Sequence, residues 1–419
     1  MTERLLQYIW QFQYFNSKEL LTEEGESLLV IYPGIINTNQ GPDFIDAKIK
    51  IDHTVWAGSV ELHINASDWK NHKHSRDKNY QNVILHVVWS PAPDLQLPFS
   101  TLVLQDKVSK MLLYKFDELM NTNSFIPCEK NIHLANELTW QSWKERLLVE
   151  RLQVKTKIIF ECLGKNNNHW EETLWWLLAK NFGIKLNSVV FEKIARSISI
   201  NILAKHKKQI QQIEALLFGQ AGLLDTEFQE DYPELLKREY QFLKKKYGLK
   251  KIEGSIIFLR MRPSNFPTIR LAQLAMMVHE NLHLFSKIKE SGSLTGVKDF
   301  LKVTANDYWH HHYVFDEPTS FKKKKLGDQM IDNILINTVI PILFAYGHHY
   351  QENTLKDKAM EWMGEMKAEK NSITQGFAGL HVINKTAFDS QSLIQLKNEY
   401  CNKKRCLDCS IGNKLLRSS

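Results

Sequence analysis

The chain has 419 residues, 43% hydrophobic and 24% charged, with a net charge of +7 and five cysteines. This composition supports large apolar cores and excludes a disulfide scaffold, pointing to a reducing, cytoplasmic setting. The length predicts about two to three domains, and no apolar run approaches the ~18 residues of a membrane span.

The opening MTERLLQYIWQF carries Glu3 and Arg4 and lacks a small-residue cleavage site, so it does not read as a signal peptide. Residues 3–15 read as a helix. SLLVIYPG (27–34) reads as a strand, and DAKIKID (46–52) with WAGSVELHI (56–64) as a hairpin turning at Asp52-His53. NVILHVVWS (82–90) and TLVLQ (101–105) are further strands, followed by a polar connection over 120–135. Beyond it, apolar residues recur at helical spacing in ELTWQSWKERLLVERLQVKTKIIFECL, EETLWWLLAKNFGI, IEALLFGQAGLL, PTIRLAQLAMMVHENLHLFSKI and DQMIDNILINTVIPILFAYG. The expected organisation is an α/β domain over 1–130 and a larger all-helical domain over 131–419 that ends in a cysteine cluster.

Residues 41–86 crowd Asp43, Asp46, Glu61, His63, Asp68, His72, His74, Asp77 and His86 among short apolar runs. Period-two alternation puts Val60, Leu62 and Ile64 on one face of their strand, and Glu61 and His63 on the other. A sheet face that gathers carboxylates and imidazoles is costly unless they bind metal, move protons or stay wet. Asp43 precedes the neighbouring strand and can lie across from Glu61. Two carboxylates there could hold a divalent cation that polarises a phosphate and activates water. His86, inside an apolar strand, reads as a core histidine.

Pro42-Asp43 followed after a strand by Glu61-Leu62-His63 resembles the PD-(D/E)XK signature of restriction-endonuclease-like phosphodiesterases. The resemblance implies a helix preceding a strand meander in a mixed sheet. It also implies Asp43 and Glu61 as ligands to Mg²⁺ or Mn²⁺, with His63 at the position of the lysine that assists the attacking water. The whole chain also resembles a bacterial family of unknown function, through GPDF, GSVELH, SDWKNHKH, VILHVVW, MRPSNFPTIRLAQLA, YWHHHY and YCNKKRCLDCSIG.

Other motifs compete. His279-Glu280-Asn281-Leu282-His283 fits H-E-x-x-H, whose two histidines on one helical turn can grip zinc in a peptidase. Arg260, Arg262 and Arg270 surround a Pro-rich turn into a helix, a possible anion site for substrate. Tyr308-Trp309-His310-His311-His312-Tyr313 could stack bases but reads better as core. Cys401-x4-Cys406-x2-Cys409 can wrap zinc or an iron–sulfur cluster if Cys128 or Cys162 supplies a fourth thiolate. Lysine runs at 205–208, 244–246, 322–325 and 403–405 are individually solvated faces, and together they suit a nucleic-acid backbone.

The leading expectation is a metal-dependent nuclease or phosphodiesterase acting on nucleic acid. Its catalytic residues would be Asp43, Glu61, His63, His72, His74 and Asp77. A non-catalytic nucleic-acid- or protein-binding protein is the second class, and a zinc peptidase the third.

Overall fold

The computed structural model describes residues 1–417 apart from Lys73, Ser75, Arg76, 93–95 and Leu282. It divides into two compact units: Met1–Trp143 with Leu396–Ser419, and Lys144–Gln395. The expected boundary at 130/131 therefore moves to 143/144, and the cysteine tail belongs to the first unit rather than the second. The physical reason is apolar: Cys406, Leu407 and Leu416 of the tail join the core of the N-terminal sheet.

Unit 1 opens with α1 (Glu3–Gln11), capped by Thr2, whose hydroxyl accepts the Leu5 N–H at 3.2 Å. Seven strands follow: β1 (Leu20–Leu21), β2 (Ser27–Tyr32), β3 (Ile35–Ile36), β4 (Phe44–Ile51), β5 (Thr54–Asn65), β6 (Val83–Ser90) and β7 (Ser100–Val103). They form one mixed sheet in the order β1-β2-β4-β5-β6-β7, with β3 also on β4. The β2, β4 and β5 strands are antiparallel neighbours, whereas β5, β6 and β7 run parallel. The β4–β5 hairpin turns at Asp52-His53, with Asp52 at φ +47°. A short helix α2 (Asp68–Asn71) lies in the crossover from β5 to β6, and α3 (Lys110–Asn121) follows β7.

The core sits on one face of this sheet. Phe44, Val60, Leu62, Leu85, Val87 and Leu102 pack there with Leu5, Leu6, Ile9 and Trp10 of α1 and with Leu112, Phe116 and Leu119 of α3. Each such burial is worth about 1.5–3 kcal/mol. Gly58 lets β5 approach the start of β6: a Cβ there would stand 2.5 Å from the Asn82 carbonyl oxygen.

Unit 2 is helical, with a core built from helices such as Trp170–Phe182, Ile210–Gln220 and Pro267–Glu280. Its run Asp328–His349 is long and apolar enough to cross a membrane by length and composition alone. Yet 78% of its most apolar window is buried inside the protein, which marks it as a core helix. Trp309, His310 and His312 are buried there too, His312 stacking on Tyr308 at 4.0 Å, so these three residues of the aromatic–histidine run are core while His311 is exposed.

Candidate metal centre

The second face of the sheet carries the polar residues, and register explains why they meet. Glu61 pairs with His86 and His63 with Val88 across the parallel β5–β6 ladder, so Glu61, His63 and His86 project to one side. The Asp52-His53 turn brings Asp43, just before β4, alongside. The crossover then lays His72, His74, Trp69 and Tyr80 over that face. The expected division into an apolar inside and an open functional outside is thus corrected: both faces are covered, and Glu61 and His63 are only 5% and 1% exposed.

His63 Nδ1 lies 2.9 Å from His86 Nε2, and His63 Nε2 lies 3.2 Å from His72 Nδ1. Glu61 Oε1 stands 3.4 Å from His74 Nε2 and 3.6 Å from His63 Nε2. His63, His72 and His74 can each offer one ring nitrogen, all within 4.8 Å of one another. His72 is exposed and gives this group its opening to solvent. Tyr80 stacks on His74 with ring centres 4.0 Å apart, and Trp69 meets His86 edge-on.

The carboxylates are arranged differently from the ligand pair expected. Asp43 Oδ1 accepts from Gln7 Nε2 at 2.8 Å and Oδ2 from the Leu62 N–H at 3.0 Å. Glu61 Oε2 in turn accepts the Asp43 N–H at 3.0 Å, which leaves Oε1 toward the imidazoles. Asp43 therefore clamps the strand ends and orients Glu61.

The electrostatics follow from burial. It lowers His63 to about 3 and His86 to about 4, with the neighbouring imidazoles adding to the effect, and it lowers His74 as well. Burial also raises both Asp43 and Glu61, and for Glu61 the nearby Asp43 charge pushes the same way. At neutral pH the rings hold free lone pairs, as metal ligands must. His74 Nε2 and His86 Nδ1 are buried without a hydrogen-bond partner, and His74 Nε2 faces the trio. An orphaned nitrogen beside two other imidazoles and a carboxylate fits a divalent ion of the class that imidazole prefers, such as zinc or iron.

The remaining expected residues fall elsewhere. Asp77 is an N-cap, accepting the Asn79 N–H at 2.9 Å; its charge acts on His74, but it is not one of the grouped ligand residues. Arg270 is 8% exposed and bonds Asn265 and Gln273, so it is a structural arginine of unit 2 and is not presented to a substrate. Arg260 and Arg262 are exposed in the same unit. The single helix expected through 279–283 does not form. It ends at Glu280, and His283 adopts φ +54° ahead of the next helix. His279 and His283 therefore do not share one helical turn, which removes the geometry a zinc peptidase needs; Leu282 lies outside the described residues. Reading from sequence passed over Tyr80 and Gln7 and gave Trp69 no role, and it placed His86 in the cluster but read it as core. Only His86 carried a usable signal, its register on the face shared with Glu61.

The fold and site define an α+β sheet unit with a histidine-rich face, joined to a helical unit. The chain belongs to the family described as Protein of unknown function (DUF2851), which it matches over residues 3–372. No curated protein and no solved structure matches it.

Proposed function

We propose that the histidine face of unit 1 is the centre of a metal-dependent phosphodiesterase, a nuclease acting on nucleic acid. The observation that carries this reading is the convergence of three ring nitrogens within 4.8 Å beside the Glu61 carboxylate. The connectivity supports it: a helix, three antiparallel strands, a short crossover and a parallel strand, with Asp43 entering β4 and Glu61-x-His63 on β5. The helix followed by a strand meander is the order implied by the restriction-endonuclease-like resemblance, whereas the crossover is short for the helix that normally follows the Glu61 strand. The net charge of +7 and exposed lysines at 244–246 suit a polyanionic substrate.

His63, His72 and His74 would hold the ion, and the all-imidazole trio shifts the expected metal from magnesium or manganese toward zinc or iron. A bound divalent ion would polarise a phosphoryl oxygen and make a nearby water more acidic. Glu61 Oε1, raised in proton affinity by its burial, is the group suited to take the proton of that water. Asp43 and Gln7 hold Glu61 in place through the bonds described above.

One observation favours a second reading. His72 and His74 both belong to the crossover, so an ion could act as a staple that fixes this loop on the sheet without catalysis. The test is metal content together with cleavage of single- and double-stranded DNA and RNA in Zn²⁺, Mn²⁺ or Mg²⁺. The nuclease reading expects cleavage that disappears in Glu61→Gln and His72→Ala. Stoichiometric metal with no cleavage by wild type leaves the staple, and absence of stoichiometric binding sinks both.

A further inference from the structure

Four of the five cysteines collect in unit 1, in a place separate from the histidines. Cys128 immediately precedes the turn Glu129–Leu134, against which the final helix Ser410–Arg417 packs. Cys401, Cys406 and Cys409 lie on the segment leading into that helix. Cys128 is within electrostatic range of Cys406 and Cys409, and Cys401 of all three others. Cys162, the other candidate for a fourth thiolate, sits instead in unit 2, with its sulfur 3.6 Å from Arg196 Nη2. All five thiols are free.

We propose that Cys128, Cys401, Cys406 and Cys409 hold an iron–sulfur cluster, which ties the C-terminal tail to the N-terminal unit. Sulfur spacing selects the cofactor. A tetrahedral zinc with bonds of about 2.3 Å requires sulfurs about 3.8 Å apart. Among the described residues, no three of these sulfurs lie within 4.8 Å of one another. In a cluster at most two thiolates share an iron, so no three sulfurs need come within reach of a single ion.

The surroundings are those of a thiolate site. The backbone N–H groups of Ile411 and Gly412 and the indole N–H of Trp143 favour negative charge on the Cys409 sulfur. Such donors stabilise sulfur-bound negative charge and tune a cluster. Gly412 is required for this approach, since a Cβ there would stand 2.3 Å from the Cys406 carbonyl oxygen. Lys397 and Lys404 add positive charge beside Cys401 and Cys406.

The proposal does not depend on the phosphodiesterase reading. Its test is iron and acid-labile sulfide in the full chain purified without oxygen, with the visible absorption that dithionite bleaches. Equal amounts of iron and sulfide are expected, at least about two of each per chain. Cys128→Ser and Cys406→Ser should lower bound sulfide more than about tenfold. Cys162→Ser and His72→Ala should leave sulfide unchanged. Zinc without sulfide in the wild type, or sulfide that survives Cys128→Ser and Cys406→Ser, overturns it. The wild-type measurement decides even if a serine variant fails to fold.

Discussion

Two regions carry histidines and glutamates in patterns that suggest metal, and they end differently. In unit 2 the His279–His283 motif has the better sequence spacing, yet the helix stops at Glu280 and the histidines separate. In unit 1, His63, His72 and His74 follow no metal-site spacing, yet a strand and its crossover bring their nitrogens together. A spacing rule is only as good as the secondary structure on which it is read. An i, i+4 pair is meaningful inside a helix, and Asn281, whose side chain bonds the Phe300 carbonyl, ends the helix there. The unit 1 site follows from what a period-two strand face crowds together, Glu61 with His63, which needs no motif.

The contrast can be broken most sharply at the carboxylate. Glu61→Gln keeps the shape of the side chain and removes the proton acceptor. It should lower metal-dependent cleavage about 10³-fold, while Glu280→Gln leaves it unchanged. Equal activity of the Glu61 variant and the wild type would remove Glu61 from catalysis. Next in size is metal affinity. His72→Ala and His74→Ala should weaken zinc binding by more than about 100-fold, beyond the usual effect of a change outside the ligand shell. By calorimetry His279→Ala should bind as tightly as the wild type, and a loss there would restore the rival motif.

A pH experiment sharpens the comparison between the buried acids. Glu214 of unit 2 is closed off, accepting the Trp309 indole N–H at 3.1 Å and the Tyr232 hydroxyl. Burial raises it to about 8 from its ordinary 4.5. The folded chain therefore binds this proton more tightly than the unfolded chain does. Stability is fullest below pH about 4.5 and falls as pH rises toward 8, by up to about 1.4 kcal/mol per pH unit. Glu214→Gln should flatten that slope in urea denaturation followed between pH 5 and 8. An unchanged slope would assign the titration to another group. The smallest expected effect is at Gln7. Its replacement by Ala should cost about 1 kcal/mol through the lost bond to Asp43 and should lower cleavage without changing metal stoichiometry. If stability and cleavage both stay at wild-type levels, the clamp on Asp43 is idle.

Much of unit 1 was legible because its signals are local. The Asp52-His53 turn, the alternation along β5 and the apolar runs of β6 and β7 are short-range patterns, and they folded as read. The cover over the polar face was not legible, because it rests on Trp69 meeting His86 and Tyr80 stacking on His74. The role of Asp43 was misjudged for a related reason: sequence places a carboxylate near Glu61, but only the fold shows both of its oxygens accepting hydrogen bonds. The division at 143/144 was hidden because the tail joins a sheet made hundreds of residues earlier, and spacing carries no trace of such a return.

That return has a consequence for how the chain is made. The core of unit 1 includes Cys406 and Leu416, and all of unit 2 intervenes before they are synthesised. At about 5–20 residues per second, the ribosome leaves the N-terminal sheet waiting on the order of tens of seconds for its last pieces. Unit 2 has no such wait, since its residues are contiguous. Translation should therefore deliver a finished helical unit while the sheet, with its histidines and Cys128, is still incomplete. Assembly of the proposed cysteine site would then have to await synthesis of residues 401–409.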